Sequence, residues 1–340
     1  MQGPSGAPWW KLVASLALAG ALLVYFLSRV PMADVATTLA RIHPLWLTAA
    51  IAASLGSYSL RALRWRVILK PLGSPRTSDL LGCTAAGFAA SSVLPARAGE
   101  VIRPLLLSAR TGLSAAGTMA SVLTERLADL ATILLMFGAA VPLARGDLAS
   151  EALPMLRDAA LFSGAGLVVF TAVVVLLLRR RERAVGLFVG VLPRRFRERA
   201  ERFGHHVLDG LEAVRSPGSL AVLFLWSLAV WSLSVVQVTA LARAFGLPLS
   251  VPASAVVMIV SGLGLAVPTP GGVGGFHAAI QFTLARLVGV DVATATGFAL
   301  IHHAVCFVPI TILGLAFVAV IGQSLGRLRG LPGENVSAER

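Results

Sequence analysis

Long apolar runs separated by short polar or basic gaps make up most of the 340-residue chain. The first run, from Lys11 to Leu27, is too long, and followed by too many others, to be only a cleaved signal peptide. Most runs approach or exceed the roughly 20 apolar residues that cross a bilayer as one helix. The pattern therefore predicts an all-α, polytopic integral membrane protein. The later runs cover about 44–63, 80–94, 118–143, 159–178, 220–245, 253–267, 276–288 and 294–321.

The positions of arginine orient these runs, because loops rich in lysine and arginine stay on the cytoplasmic side of a membrane. The segment 179–215 holds ten arginines and 61–76 is also strongly basic, so both are assigned to the cytoplasm. The gap 145–158 mixes arginines with acidic residues and is assigned to the outside. These assignments predict a multi-pass protein of the cytoplasmic (inner) membrane with both termini in the cytoplasm.

The same orientation predicts two re-entrant hairpins. The run 118–143 must cross from inside to outside, whereas 44–63 ends inside, so 80–107 must enter and leave from the cytoplasmic face. By the same argument, 253–289 must enter and leave from outside. Each arm has fewer apolar residues than a full span needs. We therefore expect about six full transmembrane helices plus two hairpins.

The two hairpin regions resemble each other in sequence order. Pro95 aligns with Pro270 and Gly99 with Gly274, and the segments that follow align after a two-residue shift. Because one copy enters from each side, the chain is predicted to be a single domain, 1–340, built as an inverted repeat. Transporters use such repeats with broken helices near the midplane of the bilayer. The boundaries are about 44–143 for repeat 1, 179–215 for the cytoplasmic basic segment and 220–321 for repeat 2.

Composition removes several classes of function. The chain is 56% hydrophobic and only 13% charged, whereas soluble domains are about 25% charged. The net charge of +13 comes from arginines between apolar runs, so it indicates topology and anionic lipid rather than nucleic acid. Cys83 and Cys306 form no metal or disulfide motif, and the sequence has no P-loop and no GxSxG motif. No cofactor and no metal are therefore expected.

The stretch TERLAD places three ionisable residues, Glu125, Arg126 and Asp129, within two turns of an otherwise apolar helix. Each charge near the bilayer centre costs roughly 2.5–3.5 kcal/mol, so these side chains should face protein or water. They are candidate headgroup-binding residues. A structural ion pair between helices, or a solvated position near the interface, would also explain them.

The stretch PARAGEVIR surrounds a helix break at Pro95 and Gly99 with Arg97, Glu100 and Arg103. Arginine offers a planar fork for phosphate, and a lipid phosphate is the natural anion at this place. These charged residues are therefore candidates for headgroup binding. The alternative is positive-inside anchoring of a simple cytoplasmic loop.

The stretch VPTPGGVGGFHAAI interrupts an apolar segment with residues that break helices. Three interpretations stay open: a gate or close-packed break, an anion site at the start of the following helix, and an extracellular turn. The break comprises Pro268, Pro270, Gly271, Gly272, Gly274 and Gly275.

Two further groups have weaker chemical signals. His277, His302 and His303 are candidates for a proton relay or a headgroup contact, because histidine titrates near neutral pH. A helix end that is both basic and aromatic is typical of anchoring at the membrane interface. Its residues are Arg61, Arg64 and Trp65.

Four motifs together resemble the lysylphosphatidylglycerol synthase transmembrane-region family, whose members are also called flippase-like domain proteins. RALRW, PARAGEVIRPLLL, SVLTERLADLATILLM and VPTPGGVGGFHAAI occur in this order, and the resemblance covers roughly residues 11–322. It implies translocation of an anionic phospholipid or a lipid-linked headgroup between leaflets, with Pro268–Gly275 as the outer gate. The cavity residues that it implies are Arg97, Glu100, Arg103, Glu125, Arg126 and Asp129.

Two alternatives to a flippase stay open. One is a membrane enzyme that acts on a lipid headgroup with Glu125 or Asp129 as general base. The other is an accessory subunit of a separately encoded lipid synthase or glycosyltransferase, docking through 179–215. Because the chain ends shortly after its last apolar run, no aminoacyl-transferase domain is expected. Membrane lipids are the expected partners, and a homo-oligomer is compatible with the sequence.

Overall fold

The computed structural model describes residues 24, 32–94, 97–179, 216–265, 267 and 269–329. Within these residues the regular structure is helical, with ten helices and no strand, and the protein is an all-α polytopic membrane protein as predicted. The helices are α1 (Met32–Ala40), α2 (Pro44–Leu69), α3 (Thr77–Val93), α4 (Gly99–Thr111), α5 (Ala115–Leu143), α6 (Leu153–Arg179), α7 (Pro217–Ala244), α8 (Val251–Gly264), α9 (Gly275–Phe282, continued by a π-helical turn, Thr283–Val288) and α10 (Val292–Arg329).

Several helices begin where the sequence supplies a capping side chain. Ser114, Ser216 and Ser250 each accept a hydrogen bond from the backbone N–H three residues later, at the starts of α5, α7 and α8. Asp291 accepts a similar bond from Thr294 at the start of α10. These bonds satisfy N–H groups that a helix itself leaves open, so polar residues between the apolar runs fix where helices begin.

Four of the described helices, α5, α6, α7 and α10, are long and apolar enough to cross a membrane. Helix α2 is of similar length, at 26 residues, but it carries Arg61, Arg64 and Arg66. The first apolar run, 11–27, lies outside the described residues except for Val24. The expected number of six full spans therefore stays a prediction.

The two ends of α5 define two faces of the helix bundle. At its start, a Cβ added to Gly117 would lie 2.9 Å from the side chain of Leu72, so the α2–α3 loop lies on this side, called the first face. Beyond its end, the N–H of Ala149 donates to the carbonyl oxygen of Leu287 at 2.7 Å. The end of the π-helical turn therefore lies on the opposite side, called the second face.

Helices α3 and α4 form a hairpin, the first hairpin, whose two ends both lie at the first face. Arg110 near the end of α4 pairs with Asp79 near the start of α3 at 2.7 Å. The second hairpin, from α8 to Val288, has both ends at the second face, where Ser250 donates a hydrogen bond to Asp147. The hairpins therefore enter the bundle from opposite faces, as the arginine positions predict. The repeat boundaries stay a prediction.

Each hairpin is closed by two glycines that bring its arms into backbone contact. A Cβ on Gly99 would overlap the carbonyl oxygen of Gly87 across the α3–α4 pair. In the same way, a Cβ on Gly264 would overlap the carbonyl oxygen of Gly275 across the α8–α9 pair. Because only glycine allows this approach, both hairpins use the same packing device.

The longer helices surround these hairpins. Helix α7 packs along α2, and α10 packs along α3. Helix α6 packs against α5 and leaves apolar side chains such as Phe162 and Val168 uncovered. Such a surface suits contact with lipid tails, which are as apolar as leucine. Because the longer helices surround them, the hairpins lie in the interior of the helix bundle, together with the charged faces of the helices.

Candidate functional site

Six charged side chains from α2, α4 and α5 meet inside the bundle and form one ion-pair network, the charge cluster. Helix α5 supplies both carboxylates, because Glu125 and Asp129 are four residues apart and share a helix face. Helices α2 and α4 contribute three arginines, and α5 contributes a fourth. The cluster comprises Arg61, Arg64, Arg103, Glu125, Arg126 and Asp129.

Glu125 lies at the centre of the cluster. Arg103 donates to both of its carboxylate oxygens, at 3.0 and 3.2 Å, in a bidentate pair. Arg64 lies 3.0 Å from Oε1, and Arg126 donates to the same oxygen at 3.1 Å. Three guanidinium groups therefore hold a carboxylate that has no exposed surface.

Asp129 is held from a second direction. Arg64 donates to its Oδ1, and the indole N–H of Trp231 on α7 donates to the same oxygen at 2.9 Å. Arg61 and Arg126 lie 3.7 and 3.6 Å from Oδ2. Because both carboxylates share two arginines, the network joins α2, α5 and α7 as one unit.

Two tryptophans cover arginines of the cluster. The guanidinium carbon of Arg103 lies 3.9 Å from the ring centre of Trp65, and that of Arg61 lies 4.7 Å from the ring centre of Trp231. Such cation–π contacts offset part of the cost of taking an arginine out of water. The Trp65 N–H donates to Ser121 at 2.8 Å, which fixes the orientation of that ring.

A cavity of about 210 Å³ lies beside the charge cluster. Arg61, Arg103 and Arg126 line it, whereas Glu125 and Asp129 are buried behind them. The four arginines of the cluster carry two more positive charges than its two carboxylates neutralise. The cavity wall is therefore cationic and suited to an anion.

Arg97 and Glu100 also line this cavity, at its more exposed rim. The Arg97 side chain is 53% exposed, and its NH1 lies 3.6 Å from Oε1 of Glu100. Its backbone φ of +53° is in the left-handed region, which non-glycine residues seldom adopt. This conformation places a fifth arginine at the rim of the cavity. Pro95, also predicted at this break, lies outside the described residues.

The tips of the two hairpins meet at the cavity. Gly271 and Gly272 of the second hairpin line it together with Gly99 of the first. A Cβ on Gly271 would lie only 3.2 Å from the carbonyl oxygen of Ser92 near the end of α3. Both broken segments therefore contribute to one internal cavity.

Backbone geometry accounts for three glycines at the second tip. Gly271, Gly272 and Gly274 have φ values of +59°, +69° and +89°, which side chains disfavour. A Cβ on Gly272 would also overlap the side chain of Leu265. The segment is thus a close-packed break, and its action as a gate stays a prediction. Pro268 lies outside the described residues.

The three histidines gather around Phe276. His277 and His303 stack with their ring centres 4.6 Å apart. Nδ1 of His277 accepts a hydrogen bond from the N–H of Gly274, the residue that precedes α9. This nitrogen is therefore already used at the start of the helix. His302 lines the cavity, and its buried Nδ1 has no hydrogen-bond partner among the described residues. His302 is therefore the one of the three that lines the cavity in the part of the chain described, and both the headgroup contact and the proton relay stay predictions.

The structure differs from the interfacial interpretation of Arg61, Arg64 and Trp65. Arg64 and Trp65 have no exposed surface, and Arg64 contacts both carboxylates of the cluster. The physical reason is that buried carboxylates on α5 need counter-charges, and α2 supplies two of them. The sequence signal is the three-residue spacing of the two arginines in RALRW, which fits lipid headgroups and a charged helix face alike. Trp231 gave no such signal.

A bundle of long apolar helices, two opposed hairpins and a cationic cavity together define a polytopic membrane protein with a polar site between its helices. The charges of that site come from the motifs PARAGEVIR, TERLAD and RALRW. The chain belongs to the family described as the lysylphosphatidylglycerol synthase TM region, whose model matches residues 12–314.

Two relatives with curated names are similar to this chain. The glycosyltransferase AglD of Haloferax volcanii is 27% identical over an aligned length of 337 residues. The alignment covers 87% of this chain and 54% of that protein. A UPF0104 membrane protein of Methanothermobacter thermautotrophicus is 27% identical over 289 residues, which cover 80% of this chain and 83% of that protein. The chain thus spans about half the length of AglD.

Proposed function

We propose that this protein translocates an anionic phospholipid or a lipid-linked headgroup between the leaflets of the cytoplasmic membrane, with both termini in the cytoplasm. One observation carries the proposal: the cavity between the hairpin tips is walled by arginines that outnumber the buried carboxylates. An arginine wall inside a membrane protein needs an anionic partner, and phosphate is the anion that a bilayer supplies.

Arg126 and Arg61 are the best-placed arginines to bind the phosphate. Arg126 keeps 33% of its side chain exposed, and its Nε has no hydrogen-bond partner among the described residues. Among the described residues, Arg61 makes one ion pair, with Asp129, and it is a longer one at 3.7 Å. Arg64, in contrast, is fully buried between Glu125 and Asp129. In this proposal the carboxylates and Arg64 hold the cluster in place, and the other arginines meet the headgroup.

The two hairpins offer a route to the cavity from each face. Their tips meet at Gly271 and Ser92, so movement of the first tip would open the cavity to the first face and movement of the second tip to the second face. The lipid tails would stay in the bilayer while the headgroup crosses. This is alternating access around a fixed site. Since the sequence has no nucleotide-binding motif, transport would be downhill or coupled to an ion.

Reconstitution of the purified protein into liposomes with a tail-labelled anionic phospholipid tests the proposal. We expect the unaltered protein to move the lipid between leaflets, and Arg97→Ala and Glu125→Gln to slow that movement. Arg66→Gln is a matched control, because Arg66 is exposed on α2 and bonds only to Thr77 among the described residues. Unchanged movement in both Arg97→Ala and Glu125→Gln would contradict the proposed role of the arginine wall.

A role in glycolipid synthesis is the second candidate, because the similar protein AglD is named a glycosyltransferase. The protein would then be a membrane enzyme, or the membrane subunit of a separately encoded lipid synthase or glycosyltransferase. Glu125 is poorly suited to be a general base, since three arginines already occupy its oxygens. This favours the accessory role over the enzyme within this candidate.

Lipid analysis of a deletion strain separates the two candidates. Loss of a lipid species from thin-layer chromatograms would favour a role in synthesis. Unchanged total lipids with altered exposure in the outer leaflet would favour translocation. A glycosyltransferase or lipid synthase that co-purifies with the protein would support the accessory role.

A further inference from the structure

We infer that the headgroup taken by this cavity is a phosphate ester of an uncharged polyol, such as glycerol or a sugar, and that headgroups with a cationic group are excluded. The inference rests on the proposed function, because it names the substrate class of the same cavity. Two chemically different parts of the cavity lining carry it. One is cationic, and the other is a set of hydroxyl groups.

The cationic part is built from four arginines and one acid. Arg61, Arg103 and Arg126 come from the charge cluster, and Arg97 lies at the rim. Glu100 is the acid among the described lining residues, and Arg97 lies 3.6 Å from it. An ionised phosphate only accepts hydrogen bonds and a guanidinium only donates them, so the phosphate belongs in this part of the cavity.

The second part consists of hydroxyl groups whose hydrogen atoms are already used. Tyr58 donates to the carbonyl oxygen of Cys306 at 2.8 Å, and Ser234 donates to that of Val230 at 3.0 Å. Four more lining hydroxyls also bond to main-chain oxygens. The full set is Ser54, Ser57, Tyr58, Ser234, Ser261 and Thr269.

A hydroxyl that donates its hydrogen to a carbonyl offers only lone pairs to the cavity. A ligand group that faces these oxygens must therefore be a hydrogen-bond donor, which excludes a second anion, and an alkyl group in that place would leave the oxygens without a donor. An ammonium group donates, but the excess of guanidinium charge repels it. The uncharged hydroxyls of a polyol donate without that repulsion.

This substrate class differs from the lipid in the family's description. Lysylphosphatidylglycerol adds a lysyl ester, and hence ammonium groups, to the glycerol headgroup. Four guanidinium groups and one carboxylate line the cavity, and Arg64, Glu125 and Asp129 lie directly behind them, so those ammonium groups would meet five arginines and three carboxylates among the described residues. The site should therefore accept the unmodified glycerol headgroup and reject the lysylated one.

Binding of short-chain lipids to the purified full chain in detergent tests the inference without depending on transport. Three dioctanoyl lipids are compared by calorimetry: phosphatidylglycerol, phosphatidylethanol, which lacks free hydroxyls, and lysylphosphatidylglycerol. We expect phosphatidylglycerol to bind at least about tenfold more tightly than either of the others. Equal affinity for phosphatidylethanol would overturn the polyol assignment, and equal affinity for the lysylated lipid would overturn the exclusion of cations.

Removing the acceptor oxygens tests the hydroxyl wall itself. Ser57 and Ser234 lie 3.1 Å apart, so the Ser57→Ala, Ser234→Ala double variant removes two neighbouring acceptors. It should weaken binding of phosphatidylglycerol and leave that of phosphatidylethanol unchanged. Ser163→Ala, on α6, is the matched control and should keep the full preference. A double variant that still prefers phosphatidylglycerol over phosphatidylethanol would contradict the role of these oxygens. The comparison of the three lipids on the unaltered protein does not depend on whether this variant folds.

Two comparisons distinguish this inference from binding of a soluble phosphate ester and from the proposed function. Glycerol 3-phosphate in solution carries the same chemistry without tails, so displacement of the lipid by an equal concentration of it would contradict a lipid headgroup site. Preferred binding of phosphatidylglycerol without movement between leaflets would leave the inference standing and contradict the proposed function. Equal binding and equal movement of phosphatidylglycerol and phosphatidylethanol would contradict the inference and leave the proposed function standing.

Discussion

Each carboxylate of the charge cluster has several guanidinium partners, so single substitutions there should have large and unequal effects. Glu125 contacts Arg64, Arg103 and Arg126, and Asp129 shares two of these. Removing one partner of a buried ion pair costs about 3–5 kcal/mol, because the other charge is left uncompensated. An exposed charge on the same helix carries no such cost.

Arg64→Gln should therefore lower the free energy of unfolding by about 3–5 kcal/mol. Arg66→Gln, two residues along α2 and exposed, should change it by less than about 0.5 kcal/mol. Thermal unfolding of both purified variants in the same detergent measures the difference. Equal melting temperatures would show that the cluster does not stabilise the fold.

Sequence reasoning reaches only part of this cluster. The spacing of Glu125, Arg126 and Asp129 on one apolar helix is visible in the sequence and predicts an internal charged site. Their partners lie on α2 and α4, and which arginine meets which carboxylate depends on helix packing. For that reason Arg64 fitted an interfacial anchor as well as a buried counter-charge, and Trp231 was not distinguishable from an ordinary apolar residue.

At the scale of helices, two glycine contacts hold the arms of the hairpins together. Gly87 meets Gly99 in the first hairpin, and Gly264 meets Gly275 in the second. The hairpins themselves follow from the arginine positions, because charge fixes the side on which a helix ends. The exact ends of their helices do not follow from the arginine positions. Helix α3 begins at Thr77, three residues before the apolar run, because polar residues extend the helix. Such extensions depend on local packing rather than on the apolar pattern.

Gly99→Ala and Gly264→Ala should each lower stability by about 1–3 kcal/mol, because the added methyl group forces the two arms apart. Gly164→Ala on α6 is the matched control, since nothing lies within 4 Å of a Cβ at that position. It should be neutral or stabilising by up to about 1 kcal/mol through helix propensity. Melting temperatures of the three variants test this, and a similar loss in all three would contradict the close-packing account.

At the scale of the whole molecule, the two hairpins enter from opposite faces and meet at one cavity. This arrangement requires both ends of each hairpin to be accessible from the same side of the membrane. The arginine positions predict the cytoplasm for the first hairpin and the outside for the second. The meeting of the tips at Gly271 and Ser92 could not be predicted, because it depends on how deeply each hairpin is inserted.

Single cysteines at exposed positions flanking the hairpins test this topology. A membrane-impermeant maleimide should label Pro248→Cys and Val292→Cys in intact cells, because both positions lie at the second face. Ser74→Cys and Ala115→Cys should react only after permeabilisation. Native Cys83 is buried and Cys306 half-buried, so the unaltered protein serves as the background. Labelling of the two ends of one hairpin from different sides would contradict the re-entrant topology.

Lipid translocation by the arginine-lined cavity is tested by the initial rate at which the reconstituted protein moves tail-labelled phosphatidylglycerol between leaflets, with Arg126→Gln compared against Arg66→Gln. Hydrogen bonds to a charged group contribute about 1.5–3 kcal/mol, and each 1.4 kcal/mol is tenfold. We expect a rate at least about tenfold lower for Arg126→Gln, measured where both variants are folded, and an unaltered rate for Arg66→Gln. Equal rates for the two folded variants would contradict this expectation.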